Sequence, residues 1–415
     1  MRSQKLCRKF FGPSFNLMRS KGFSLISAIK LVPAILAVSV AALFSGSAIA
    51  HRNEPVIITF DAPGAVATFG YSISASGAVT GVYLDAGGVQ HGFLRTPEGR
   101  MLTFDAPGAG TMPGQGTEPW SISSFGTITG EFWDSGGVVH GFTRAPDGQI
   151  TTFETPGAGT NSGQGTAGEA INSAGWVGGN TIDSNNASHP FLRDPGGVIT
   201  EYTVPGASGY YGAWVDGECG INFMATITGA YIELPGGAFH GYVRTVGGEI
   251  ALIDVPGAGT GNFQGTLTSC INSEGSIAGN YVDAGGVNHG FVRTAAGTIT
   301  TFDYPGAATG PGQGTVGLGI NLEGVIVGSY FDAISAAHGF VRTPYGSFMA
   351  FDAPGAGAGA GQGTFPQTNN WVGAITGYYV DASNGFHGFV YLREKPEGGG
   401  FALKENLGLR GEPPM

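Results

Sequence analysis

A histidine recurs at almost constant spacing along the chain, and this periodicity restricts the fold more than any other feature of the sequence. The intervals are 49, 49, 51, 49, 49 and 49 residues, and most of these histidines open a phrase of the type HGFxR. A repeat of roughly 20 to 50 residues is typical of solenoids, propellers and related arrays. Seven copies fill residues 51–393 and leave no length for a second large domain. The histidines are His91, His140, His189, His240, His289, His338 and His387.

Each copy contains four short segments with the composition of β-strands. In the fifth copy they surround INSEG (271–275), IAGNYVD (277–283), HGFVR (289–293) and TITTFD (298–303). Runs rich in Ile, Val, Phe, Tyr and Thr that are bounded by Gly, Pro or Asp indicate strands joined by hairpins. The 76 Gly and 23 Pro residues disfavour helices. We therefore predict an all-β fold, a seven-bladed β-propeller of four-stranded antiparallel blades.

The two ends of the repeated region complement each other. Residues 56–65 (VIITFDAPGA) form a fourth-segment phrase that no earlier segment precedes, and the last copy lacks a clear fourth segment. Pairing of the N- and C-terminal strands would close the propeller and remove two sheet edges. An open β-solenoid is the alternative, but it would need end caps that the sequence does not contain.

The combined phrase HGFxRTxxGxITTFDxPGA…GT…INxxGxITGxYxD resembles the bacterial extracellular repeats of the HAF family, which are named for a His-Ala-Phe triplet. The resemblance covers about residues 55–393. Gly replaces the Ala of the triplet in six copies, and Pro190 replaces it in the other. The family has no agreed activity, so the resemblance implies export and a repeat fold rather than a function.

The first fifty residues differ from the repeats in composition. Seven Lys and Arg residues and no acid precede and flank the apolar run LVPAILAVSVAALF (31–44), which is followed by SGSAIA. This order predicts a secretory signal peptide in residues 1–50, with cleavage after Ala50 and a secreted or periplasmic destination. An uncleaved membrane anchor is the alternative, but fourteen apolar residues interrupted by Pro33 are short for a bilayer.

Removing the signal peptide makes the chain strongly acidic. The formal net charge of −11 includes seven positive charges in residues 1–50, so the remainder has a charge of −18. A surface of this charge repels nucleic acid and anionic lipid. We therefore expect neither nucleic-acid binding nor membrane insertion after cleavage, and a glycan or protein ligand instead.

Two cysteines remain after the signal peptide, and they lie one repeat apart. Cys219 and Cys270 each precede an Ile-Asn pair. In an exported protein they could form a disulfide between neighbouring copies, and two buried thiols are the equal alternative. Their number and spacing do not indicate a metal knuckle.

The repeated polar residues have a structural interpretation and a functional one. Asp283 and His289 bracket a hairpin turn, where the carboxylate can accept turn N–H groups and the imidazole can pair with it. Identical groups around a ring cannot each form one active site, so we predict no catalytic residues. The arginines that follow each histidine by four, such as Arg293, are expected to pair with the acids of the D-x-PG turns, such as Asp303; a ligand-facing arginine ring is the alternative. No metal or cofactor is predicted, although structural Ca²⁺ in the acidic turns is an alternative.

The sequence places the longest loops on one face, where the second and fourth connections of each copy meet. These loops carry glutamines whose amides can bind sugars or peptide backbone, and the fourth copy has aromatic residues in place of glutamine. The predicted binding residues are Gln115, Gln164, Gln264, Gln313, Gln362, Tyr210, Tyr211 and Trp214.

The resulting functional prediction is an exported, non-enzymatic propeller that binds or scaffolds a glycan or protein through this long-loop face. The alternative is a secreted carbohydrate-active enzyme, a glycosidase or lyase, which should show unique paired acids in one copy. Residues 394–415 match no copy and are expected to form a loose C-terminal tail.

Overall fold

The structure is a computed structural model, and it describes residues 55–207, 212–233 and 237–393. The predicted signal peptide and C-terminal tail lie outside these ranges. The described residues contain strands, turns and bends but no helix, which confirms the all-β prediction. Within the same ranges, no helix has the length and apolar character needed to cross a membrane.

The described residues form 28 strands, most of them four to seven residues long. The first fourteen are β1 (Val56–Phe60), β2 (Ala67–Ile73), β3 (Val79–Leu84), β4 (Gln90–Arg95), β5 (Met101–Phe104), β6 (Gly116–Ile122), β7 (Ile128–Trp133), β8 (Val139–Arg144), β9 (Ile150–Phe153), β10 (Gly165–Ile171), β11 (Val177–Ile182), β12 (Ser188–Arg193), β13 (Ile199–Glu201) and β14 (Ala213–Val215). The other fourteen are β15 (Ile227–Glu233), β16 (Ala238–Arg244), β17 (Ile250–Ile253), β18 (Gly265–Ile271), β19 (Ile277–Val282), β20 (Asn288–Arg293), β21 (Ile299–Phe302), β22 (Gly314–Ile320), β23 (Ile326–Phe331), β24 (Ala337–Arg342), β25 (Phe348–Phe351), β26 (Gly363–Asn369), β27 (Ile375–Val380) and β28 (Phe386–Leu392).

Successive strands pair as antiparallel neighbours within each copy. Strands β2, β3, β4 and β5 pair in that order, and the same order recurs from β6 onward. The N-terminal strand β1 pairs with β28, with Thr59 opposite Phe389. Single parallel bridges, such as Gln90 to Gly116, connect one copy to the next, and Ala67 makes the corresponding bridge to Phe386 of the last copy.

The first strand of each copy lies innermost, and the fourth lies outermost. Strand β2 is buried at every residue, and it contacts the first strands of both the following copy and the last copy, β6 and β26. We call the seven first strands (β2, β6, β10, β14, β18, β22 and β26) the inner strands. The fourth strands are more exposed, and β21 and β25 each have two exposed residues and one buried residue.

A glycine in the second strand of each copy allows the inner strand to approach closely. A Cβ on Gly81 would collide with the carbonyl oxygen of Phe69, and one on Gly377 would collide with that of Phe365. The sequence-based interpretation of these glycines as close-packing positions is confirmed.

Candidate functional site

The Asp–His pairs brace the hairpin turns, as predicted. Asp283 Oδ1 accepts hydrogen bonds from the N–H groups of Gly285 and Val287, both at 2.8 Å. The same carboxylate lies 3.4 Å from His289 Nε2, and His289 Nδ1 lies 2.9 Å from Asp303. The Val287 N–H is the main cause that lowers the pKa of Asp283. Each polar atom therefore has a partner within its own copy.

The prediction that the arginines pair with the acids of the D-x-PG turns is wrong. All ion pairs among the described residues join a histidine to a carboxylate. The guanidinium of Arg144 instead lies over the ring of Phe104, at 4.8 Å, and that of Arg95 lies over Phe60 at 5.2 Å. Because the histidine pairs with the acid, the guanidinium packs instead on an aromatic ring. This ring belongs to the fourth strand of the neighbouring copy.

The five predicted glutamines all use their amides to hold the loops that carry them. Gln264 Oε1 accepts a hydrogen bond from Gly261 N at 2.9 Å, and its Nε2 donates to Ala284 O at 3.1 Å. Gln115, Gln164, Gln313 and Gln362 make the equivalent pairs of bonds. Ligand binding by these side chains stays a prediction, since a ligand would have to compete with bonds already made.

The aromatic residues predicted in the fourth copy are placed differently. Tyr210 and Tyr211 lie outside the described residues. Trp214 is 6% exposed in strand β14, and its ring meets that of Phe239 edge-on at 6.1 Å. The exposure expected of Trp214 is wrong, because the residue belongs to an inner strand rather than to the preceding loop.

A cavity of about 320 Å³ opens where the inner strands end, on the face opposite the long loops. We call it the inner-strand cavity. Its walls are the turns between the first and second strands, and its floor includes Glu218 and Cys219. The position that begins each turn is Ser or Asn, and all seven line the cavity: Ser74, Ser123, Asn172, Asn222, Asn272, Asn321 and Asn370.

The asparagines of these turns join one copy to the next. Asn272 Oδ1 accepts hydrogen bonds from two N–H groups of its own turn, and Asn272 Nδ2 donates to Asn321 O at 3.0 Å. Asn370 Nδ2 donates in the same way to Ser74 O at 3.0 Å, across 296 positions of sequence. Five such bonds link the turns in succession from Asn172 round to Ser74, so the asparagine amides are already bonded.

The residue that follows this Ser or Asn in each turn lies at the rim of the cavity, and its type differs between copies. Phe223, Leu322 and Trp371 are 56%, 49% and 53% exposed, while Ser124 and Ser173 lie on the other side and share a 3.3 Å hydrogen bond. Of the five tryptophans, all within the described residues, Trp371 alone is exposed. The rim therefore carries both exposed apolar side chains and hydroxyl groups, which include that of Ser273 between Phe223 and Leu322 in the order of the copies.

Five of the inner strands contain a one-residue β-bulge at an equivalent position, and the bulged residue differs from copy to copy. The register of the inner strands shifts at Tyr71, Trp120, Glu169, Ser269 and Gln367, which occupy equivalent positions. Bulges redirect side chains, and here the rings of Tyr71 and Trp120 stack at 4.7 Å. This position carries no repeated residue, and sequence analysis missed it.

The fourth copy has an insertion at this place. The segment from Gly212 to Asn222 is three residues longer than the equivalent segment from Gly265 to Asn272 in the fifth copy. The additional residues, Asp216, Gly217 and Glu218, follow strand β14. A Cβ on Gly217 would lie 3.5 Å from both the Trp120 ring and a carboxylate oxygen of Glu169. The 51-residue interval between His189 and His240 reflects additional residues in this part of the chain, and it was the signal that could have identified the segment.

Their surroundings make the inserted acids harder to ionise than ordinary carboxyl groups. Burial raises the pKa of Glu218 to about 8, and burial together with the charges of Glu218 and Glu169 raises the pKa of Asp216 well above its ordinary value. Asp216 is 4% exposed, and its Oδ2 has no hydrogen-bond partner. Within the described ranges, no group of three or more His, Cys, Asp or Glu side chains is arranged to hold a metal ion.

A disulfide fixes the insertion. Cys219 and Cys270 are bonded, with their Cα atoms 4.9 Å apart, which decides between the two alternatives that the sequence left open. The Ile271 N–H also donates to Cys219 O at 3.1 Å. The floor of the inner-strand cavity is therefore tied covalently to the fifth copy.

Comparison with solved structures defines the class of fold. The chain superposes on a lectin, BP39L from Burkholderia pseudomallei, with a TM-score of 0.50 and 8% identity, over 79% of this chain and 98% of that one. Weaker similarities are found to AofleA from Arthrobotrys oligospora (TM-score 0.41, 13% identity, 72% of this chain and 90% of that one) and to a puromycin hydrolase (TM-score 0.48, 14% identity, 77% and 50%).

The chain is an all-β protein with the fold of the β-propeller lectins. At 8% identity, the likeness to the first lectin describes the fold and not the ligand. The sequence itself matches no protein-family model and no curated protein.

Proposed function

We propose that this chain is an exported, closed, seven-bladed propeller that acts as a binding module for a carbohydrate, held in the inner-strand cavity. Closure is supported by contacts between the first and last copies. Strand β1 pairs with β28, and Asp61 lies 3.0 Å from His387, which repeats the bond between Asp303 and His289. With β1 as the fourth strand of the last copy, all seven copies contain four strands.

Export is supported by two features of the sequence and one of the structure. The N-terminal segment has the order of a signal peptide, the repeats resemble those of the HAF family, and Cys219 is bonded to Cys270. Disulfides persist mainly in oxidising compartments. The secreted or periplasmic location remains part of the proposal.

The observation that carries the carbohydrate proposal is the exposed Trp371 ring on the rim of a hydroxyl-lined cavity. Neither Trp371 nor Phe223 contacts another aromatic ring among the described residues, so the apolar face of a sugar could stack on either. Ser124 and Ser173 on the opposite side offer hydroxyl groups. The volume of about 320 Å³ falls at the lower end of the range of ligand pockets.

An enzyme is the second candidate, and the insertion in the fourth copy favours it. Glycosidases need two carboxyl groups on one substrate, and Asp216 and Glu218 are acids unique to one copy. Glu218 lines the cavity, but Asp216 lies beneath it and does not. A substrate in the cavity would meet one of the two acids, so binding is the better supported function.

The test is a glycan array with the purified protein, followed by calorimetry and product analysis with the best glycan. We expect Trp371→Ala to weaken binding at least tenfold. The control is Tyr345→Ala, which removes an aromatic residue that is 96% exposed on an outer turn. The absence of any bound glycan would overturn the proposal, as would unchanged affinity in the Trp371 variant.

The same assay separates the competing proposals. Loss of affinity in Gln313→Ala but not in Trp371→Ala would move the site to the long-loop face. Cleavage of the glycan that disappears in Glu218→Gln would favour the enzyme.

A further inference from the structure

We propose that the ligand of the inner-strand cavity carries a positively charged amino group that pairs with the Glu218 carboxylate, as an amino sugar would. This inference rests on the proposed carbohydrate function and names the class of sugar. It depends on where the three-residue insertion puts Glu218 and on what surrounds its carboxyl group.

The backbone of the insertion is held so that Glu218 stays at the cavity floor. Glu218 adopts a left-handed conformation with φ 64°, and its carbonyl oxygen accepts a 2.7 Å hydrogen bond from Ser121 Oγ in the second copy. The disulfide of the adjacent Cys219 holds the other side. Two fixed points on different copies make this acid a positioned group rather than a loose loop residue.

The carboxyl group of Glu218 has no counter-charge. Among the described residues it makes no side-chain hydrogen bond and no ion pair, and no Lys, Arg or His lines the cavity. Asp216, whose pKa Glu218 helps to raise, is another acid and offers no counter-charge. A partly buried carboxyl group without donors is costly in its ionised form, so a ligand that brings a cation would relieve this cost.

Further buried polar atoms lack partners in the same part of the fold. They include Asp216 Oδ2 and the hydroxyl of Ser269, whose residues are 4% and 8% exposed. Ser269 occupies the bulge position of the fifth copy, next to the bonded Cys270. Unpartnered polar atoms beneath a cavity are typical of a site that is completed by a ligand or by water.

Proton release follows from this arrangement. Because burial raises the pKa of Glu218 to about 8, the free protein holds the acid as COOH at pH 6.5. An ammonium group that enters the cavity favours the carboxylate, so Glu218 releases its proton to solvent as the ion pair forms. Binding of a neutral sugar leaves the proton in place.

The lack of a cation among the residues that line the cavity also predicts which sugars are disfavoured. The carboxylate of a uronic acid and the sulfate of a sulfated sugar would find no counter-charge beside Glu218. The exposed rings of Trp371 and Phe223 favour a ligand with an apolar face as well as an amino group. A hexosamine meets both requirements.

The experiment compares the methyl glycosides of glucosamine, N-acetylglucosamine and glucose by calorimetry at pH 6.5. We expect the amine to bind at least tenfold more tightly than glucose, and we expect Glu218→Gln to abolish the difference. The control is Glu274→Gln, which removes an exposed acid on a neighbouring turn that does not line the cavity. Titrations in two buffers of different ionisation enthalpy should show release of about one proton with the amine only.

The outcomes separate this inference from the proposed function. Equal binding of the three sugars, unchanged in Glu218→Gln, would overturn the amine inference and leave carbohydrate binding in place. Failure of every glycan on the array and of all three glycosides would overturn both. The proton measurement uses the unmodified protein, so it decides the matter even if the Glu218 variant does not fold.

Discussion

The Ser121 hydroxyl donates a 2.7 Å hydrogen bond to the carbonyl oxygen of Glu218, although the two residues are 97 positions apart. The same hydroxyl accepts a 3.3 Å bond from the Ile171 N–H. Ser121 is 1% exposed, so both bonds are protected from water. This one side chain connects three copies of the repeat and fixes the floor of the inner-strand cavity.

Ser121→Ala should therefore lower the free energy of unfolding by about 1 to 2 kcal/mol, because a buried carbonyl loses its donor. The matched control is Ser72→Ala at the equivalent position, where the hydroxyl accepts one 3.3 Å bond from Ile122 N. Urea unfolding curves of the two variants measure the difference. An equal effect in both would show that the bond to Glu218 contributes nothing.

The N-terminal strand should be as important for stability as an internal fourth strand. Phe60 lies under the Arg95 guanidinium as Phe104 lies under that of Arg144. Both rings are partly buried, so we expect Phe60→Ala and Phe104→Ala each to cost about 2 to 3 kcal/mol. Thermal and urea unfolding test this, and a Phe60 variant with wild-type stability would argue against closure by β1.

Reduction should destabilise the protein by up to about 4 kcal/mol, because the disulfide closes a loop of about fifty residues in the unfolded chain. The separation of Cys219 and Cys270 is 51 positions. The melting temperature should fall when reductant is added. It should not respond to reductant in Cys219→Ala/Cys270→Ala, and a response there would assign the effect to something other than this bond.

Glu218→Gln should stabilise the protein at alkaline pH. The folded-state pKa of about 8 lies above the ordinary value of 4.5, so the folded chain keeps a proton that the unfolded chain releases. The stabilisation linked to this proton is complete below pH 4.5 and is lost as pH rises towards 8. The melting temperatures of variant and wild type should therefore be closest at pH 4 and should diverge by pH 8, with the variant higher.

The control for this pH dependence is Glu274→Gln, which should follow the wild type throughout. If the melting temperatures of the Glu218 variant and the wild type changed in parallel with pH, the Glu218 carboxyl would be hydrated in the folded state.

The residues that could be predicted from the sequence are those whose partners lie within one copy or the next along the chain. Asp283 and His289 are six residues apart on the two sides of one turn, and their bond was expected. The glycine at position 81 indicates close approach of a neighbouring strand without any knowledge of the rest of the molecule. The pairing of β1 with β28 joins the two ends of the repeated region. It could be predicted because each end lacked a known piece of the pattern.

The glutamines show where such reasoning from residue type fails. Their amides can bind a sugar, but in the structure Gln264 bonds Gly261 and Ala284, so its donor and acceptor are already used. Trp214 was expected in a loop and lies in a strand, because the additional residues of the fourth copy follow it rather than precede it.

The sequence by itself determined the all-β fold, the four-segment repeat and the bracing of its turns, because strand pairing and hairpin turns depend on short-range patterns that a periodic sequence repeats. Only the tertiary structure decided that Ser121 meets Glu218 at one cavity and that Glu169 lies near Gly217. These residues come from three copies and share no local pattern, so their proximity depends on how the inner strands are arranged around one another. In five of the inner strands a β-bulge interrupts the repeated pattern at one residue, and the identity of that residue differs from copy to copy.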